Sequence, residues 1–62
     1  MTPREVKSRL NRRVKWRGKE YLFTGCIIRL RDGEFTYQAE LTERRESMIT
    51  VYITALDEIE EV

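Results

Sequence analysis

The chain has 62 residues, a formal net charge of +1, one cysteine and no histidine; a domain this small buries only about 60% of the surface its unfolded chain exposes, and neither a disulfide nor a Cys/His zinc site can staple it. No apolar run approaches the roughly 20 residues of a membrane span, and no signal-type stretch follows Met1, so neither a membrane nor a leader is expected. The near-neutral total conceals a dipole, with eight Lys/Arg against one acid in residues 1–19 and ten acids against four Arg in residues 20–62.

Such asymmetry points either to an acidic partner for the basic segment or to a chain that folds its two ends against each other. A lone thiol, Cys26, suits a reducing compartment, and a cytoplasmic protein is expected.

Along the chain, Thr2-Pro3-Arg4-Glu5 predicts a helix start: Thr2 caps, Pro3 sits where its missing N–H costs nothing, and Glu5 reaches back to the cap. Val6 and Leu10 share one face at i,i+4 while Arg4, Lys7, Arg9 and Arg12 take the others, so a basic helix of residues 1–12, helical over about 3–11, precedes the strands. Asn11 is a candidate left-handed stop, after which Val14 and Trp16 alternate with Lys15 as a strand does. Arg17-Gly18-Lys19 reads as a turn.

From Glu20 to Thr54 the chain is rich in β-branched and aromatic residues and lacks helical periodicity. Asp32-Gly33 predicts a two-residue type I′ turn, because both central positions need positive φ. Pairing Arg31 with Glu34 then sets Leu30 opposite Phe35, Ile28 opposite Tyr37 and Cys26 opposite Ala39, an apolar face. Tyr21 and Phe23 fall in the opposite phase to Cys26, Ile28 and Leu30, which predicts a bulge or bend at Gly25. The third strand continues inward through Phe35, Tyr37, Ala39 and Leu41. A three-residue loop, Arg45 to Ser47, would set Arg44 opposite Met48 and point Ile49, Val51 and Ile53 inward, leaving Tyr52 outside and across from Glu40.

Thr54 to Asp57 resembles one 3₁₀ turn, followed by a closing strand at Glu58–Glu61 with Ile59 inward. The fold class expected is therefore mainly β: one domain over residues 1–62, made of a small five-stranded SH3-like barrel (13–62) behind a short N-terminal α-helix. In that architecture the first and last strands adjoin, which would set Lys15, Arg17 and Lys19 near Glu58, Glu60 and Glu61.

The run Val14-Lys15-Trp16-Arg17-Gly18-Lys19-Glu20-Tyr21, with Cys26-Ile27-Ile28-Arg29, Tyr37-Gln38-Ala39-Glu40-Leu41 and Leu56-Asp57-Glu58-Ile59-Glu60, resembles small uncharacterised proteins of phages and conjugative elements of Gram-positive bacteria. The resemblance spans about residues 14–60 and rests on packing and turn motifs. It implies a cytoplasmic accessory protein of a mobile element and carries no active residues over.

Enzymatic activity is not expected, since there is no His to act as general base, no Gly-rich phosphate loop and no Cys/His or Ser/His pair. No catalytic residue, metal ligand or cofactor site is assigned. Cys26 reads as a small core hydrophobe, and the acids at Asp32/Glu34 and Glu58/Glu60/Glu61 as solvated faces. Two binding readings remain. Leu22, Ile27, Met48 and Tyr52 form apolar residues on the nominally exposed side, to be covered by the Val6/Leu10 stripe, by a second subunit or by another protein. Arg4, Lys7, Arg9, Arg12, Arg13, Lys15 and Arg17 could instead contact nucleic-acid phosphates. A non-enzymatic binding or adaptor module acting on a protein partner is the first reading, and a nucleic-acid-binding accessory protein the second.

Overall fold

Three tight turns set the frame of the molecule. In a computed structural model that describes all 62 residues, Arg17-Gly18 takes φ of 51° and 78° and Asp32-Gly33 takes 51° and 80°, the pair of positive values a type I′ hairpin requires. These turns join β1 (Arg13–Trp16) to β2 (Lys19–Arg31) and β2 to β3 (Glu34–Arg45). Glu46, at φ 48°, turns the chain into β4 (Met48–Ala55), and a one-turn 3₁₀ helix, Leu56–Glu58, leads to β5 (Glu60–Glu61). The five strands make one antiparallel sheet in the order β4-β3-β2-β1-β5. No ladder joins β4 to β5, so the sheet is open and both strands are edges.

The β2–β3 register is the expected one from Arg31↔Glu34 through Cys26↔Ala39, and it slips between Phe23 and Gly25, where the change of phase predicts a bulge. The bulge is held by Thr24, whose hydroxyl donates to the Glu40 carboxylate at 2.6 Å and lies 2.7 Å from the Thr42 hydroxyl. Its consequence is a single buried face on either side of the bend: Val14, Tyr21, Phe23, Ala39, Leu41, Leu56 and Ile59 form the core, with Met1, Val6, Trp16, Cys26, Tyr37 and Tyr52 packed around it.

β4 corrects the expectation. The loop has two residues, not three, so Arg45 pairs with Met48, Leu41 with Tyr52 and Glu40 with Ile53. A slip of one residue inverts a strand, because successive side chains point to opposite faces. Tyr52 and Thr54 thus turn inward, and Ile49, Val51 and Ile53 are exposed. The Tyr52 ring stands 5.6 Å from Trp16 and 5.4 Å from Tyr21, although β2 and β3 separate β4 from β1 in the sheet, so the sheet curls until its two halves meet through side chains.

The N-terminal helix is shorter than expected. A 3₁₀ turn, Pro3–Glu5, runs into α1 (Val6–Arg9), and Leu10 leaves the helical region at ψ 138°. The strand ladder stops it: Asn11, at φ 66°, donates its N–H to the Phe23 carbonyl at 2.7 Å, and the Phe23 N–H returns to the Arg12 carbonyl at 2.9 Å. The Glu5 carboxylate accepts from the Thr2 hydroxyl and N–H at 2.8 and 3.2 Å, the capping box expected there.

Candidate functional site

Two apolar surfaces emerge, one from unequal strand lengths and one from the two-residue turn before β4. β2 and β3 have 13 and 12 residues, β1 only 4 and β4 only 8, and the short strands flank the end of the hairpin remote from Asp32-Gly33. Residues 28–37 therefore project as a two-stranded arm. On one side of it Ile28, Leu30 and Phe35 are 60%, 66% and 62% exposed. Phe35 is on the expected face but not in the core, because no element lies opposite the arm. The reverse side carries Arg29, Arg31, Glu34 and Thr36, as strand alternation requires.

The second surface is the convex side of β4. Ile49, Val51 and Ile53 form a stripe there, and the row Leu22↔Thr42↔Val51 continues it across the sheet. Of the four expected interaction residues, Leu22 and Ile27 belong to this outer face, whereas Met48 and Tyr52 share the inner face with Leu41. Val6 packs against the core, and Leu22 stays exposed, so the helix stripe does not cover these residues. Two signals in the sequence pointed to both surfaces: a long hairpin between short strands, and a fourth strand apolar in both phases.

The basic residues are dispersed rather than gathered. Arg9 is bonded to Glu61 at 2.9 Å, Lys15 pairs with Glu60 across β1 and β5, and the Arg17 guanidinium lies 4.6 Å from the Trp16 ring centre. Arg13 lines a shallow groove with Glu20, Glu43 and Arg44. Arg4, Lys7 and Arg12 are exposed and make no ion pair. The Met1 ammonium also donates to the Ile59 carbonyl at 3.0 Å, so one ion pair and this bond tie the two ends of the chain together.

Glu58 ties those ends to the sheet. Its carboxylate accepts from the Thr54 hydroxyl and from the Trp16 indole N–H, the latter at 3.4 Å, and these bonds hold its carboxyl below the ordinary range. A carboxyl depressed in the fold contributes stability above its unfolded value of about 4.3 and loses it as pH falls through the lower folded value. The melting temperature is thus expected to fall on acidification below about pH 4.5. Glu58→Gln, whose single amide oxygen can accept from both donors as the one Glu58 oxygen does, should flatten part of that fall in thermal melts between neutral pH and pH 2; an identical profile for both proteins would remove this role.

Burial pushes the Cys26 thiol up, which disfavours the nucleophilic thiolate. No three His, Cys, Asp or Glu side chains are gathered as a metal ion would need, and no helix is long and apolar enough to cross a membrane. Compared with protein-family models, curated proteins and solved structures, the chain has no match in any of the three.

Proposed function

We propose that this chain is a small binding module with no enzymatic activity of its own, which docks a protein partner through the apolar side of the β2–β3 arm. The exposure of Ile28, Leu30 and Phe35 carries this reading. A two-stranded ribbon is marginal in water and gains stability from a third layer, and a contiguous apolar patch is where a partner supplies one. The charged reverse side keeps the free protein soluble and gives the arm one binding face.

In this reading the curled sheet is a partly open SH3-like barrel; the meandering strand order, the bend at Gly25 and the Trp16–Tyr52 contact support it. The setting proposed is the reducing cytoplasm of a bacterial host, as an accessory protein of a mobile element, supported by the resemblance over residues 14–60. A nucleic-acid role is the second reading and rests on Arg4, Lys7 and Arg12, which are exposed and make no ion pair.

Capture from host extract with three forms of the chain separates the readings. Leu30→Glu with Phe35→Glu should abolish retention of a specific protein, since central apolar anchors are each worth about 2 kcal/mol or more, roughly thirtyfold in affinity. Reversal of Arg4, Lys7 and Arg12 to Glu should leave retention intact. Retention that survives the arm variant overturns the proposal. Binding to duplex DNA that weakens steeply with salt, at about −0.9 in log–log slope per phosphate, and is lost with the Arg reversals would establish the second reading instead.

A further inference from the structure

We propose that the chain self-associates through β4, the strands of two copies pairing antiparallel about a twofold axis at Val51 so that their sheets become continuous. Natural edge strands are blunted by charge, proline or bulges. β5 consists of Glu60 and Glu61, and the free flanks of the arm carry Arg29, Arg31 and Glu34. β4 reads Met-Ile-Thr-Val-Tyr-Ile-Thr-Ala over 8 residues, without a charge, a proline, a glycine or a break in its ladder. β4 alone among these edges lacks protection.

Its backbone phase selects the partner. A two-residue turn closes on a pair that exchanges both ladder bonds, so Met48, Thr50, Tyr52 and Thr54 direct their N–H and C=O groups to β3. Those of Ile49, Val51 and Ile53 point to the open edge. The same three residues carry the exposed aliphatic stripe, at 59%, 52% and 47% exposure. Pairing Val51 with its own copy sets Ile49 against Ile53 twice, which satisfies about six backbone bonds and buries one aliphatic row across the junction. No heterologous strand is needed, because the sequence is self-complementary in that register. At each end the β3–β4 turn, Glu46-Ser47 next to Arg45, comes towards the copy's Leu56–Glu58 turn, so the ends of the junction carry both signs of charge and the aliphatic row carries the contact. Two strands and one aliphatic row make a small interface, so a dissociation constant in the micromolar range is expected.

The contact uses neither the arm nor the basic segment and stands apart from the docking proposed above. It is tested on the full chain by sedimentation across micromolar concentrations. Wild type should pass from monomer to dimer, and Val51→Lys, with circular dichroism unchanged, should weaken association on the order of a hundredfold, since two buried valines are lost and two ammonium groups face each other. In a Cys26→Ala background, Val51→Cys should cross-link to itself under mild oxidation. Ile49→Cys and Ile53→Cys should each remain uncrosslinked alone but cross-link when mixed. Monomer at every concentration overturns the proposal, as does cross-linking at Leu30→Cys that outpaces Val51→Cys, which would move the contact to the arm.

Discussion

Phe23→Ala is expected to be among the most damaging single substitutions in the domain. Phe23 is fully buried in β2 just before the bulge, with Leu41 opposite it. Truncating a buried Phe costs about 3–5 kcal/mol, the lost transfer energy plus the cavity. At about 0.05–0.15 kcal/mol per residue a chain of this length has roughly 3–9 kcal/mol in total, so the deletion removes at least about a third of it and, at the lower end, all of it. Few residues can share the loss: eight of the 62 are buried, and Thr54 is the one that is polar. Far- and near-ultraviolet circular dichroism in a urea series would read the outcome. A cooperative transition within 1 M of the wild-type midpoint would mean that the core lies elsewhere.

That core was largely legible in the sequence wherever local geometry dictated it. Asp32-Gly33 sets a turn whose two positive φ values few dipeptides accept, and nine residues on each side follow in register, interrupted once. Gly25 was readable as a break because the apolar residues change parity there. Ile59 was readable as a closing core residue, and the adjacency of β1 and β5, expected from the small-barrel architecture, is present. In each case a steric requirement of a few residues has one economical answer.

The remainder was not legible because it depends on where neighbouring elements end. Nothing within Ile28-Arg29-Leu30 or Phe35 tells that β4 stops at Ala55 opposite Gln38, where the arm begins. The helix length failed for a related reason. Asn11 and Arg12 are good partners for Phe23 in the ladder, and that long-range pairing overrides local helical preference. Of the candidate site, Leu22 and Ile27 were identified on the correct face, while Met48 and Tyr52 followed β4 to the other. The basic segment was recognised as a cluster in sequence, yet Arg9 is bonded to Glu61 and Arg17 lies over the Trp16 ring, contacts that charge counting alone does not reveal.

β4 holds the sharpest expected contrast, since its two phases make opposite predictions at adjacent residues. Residues 49, 51 and 53 are the more hydrophobic set, so a pattern reading buries them; the two-residue turn at Glu46-Ser47 buries Tyr52 and Thr54 instead. Turn geometry outweighs hydrophobicity here because Tyr52 completes a three-ring cluster and donates its hydroxyl to Glu43 at 3.4 Å. Edge-to-face pairs contribute about 0.5–1.5 kcal/mol each beyond the area they bury, so Tyr52→Ala should destabilise the fold by about 2–4 kcal/mol. Ile53→Thr, which keeps a β-branched side chain on the exposed face, should stay within about 0.5 kcal/mol. Both are measured by chemical denaturation at submicromolar concentration, where self-association adds little to apparent stability. Should Ile53→Thr prove the more damaging substitution, β4 would sit one residue out of the register described, with Ile49, Val51 and Ile53 in the core and no aliphatic stripe on its open side.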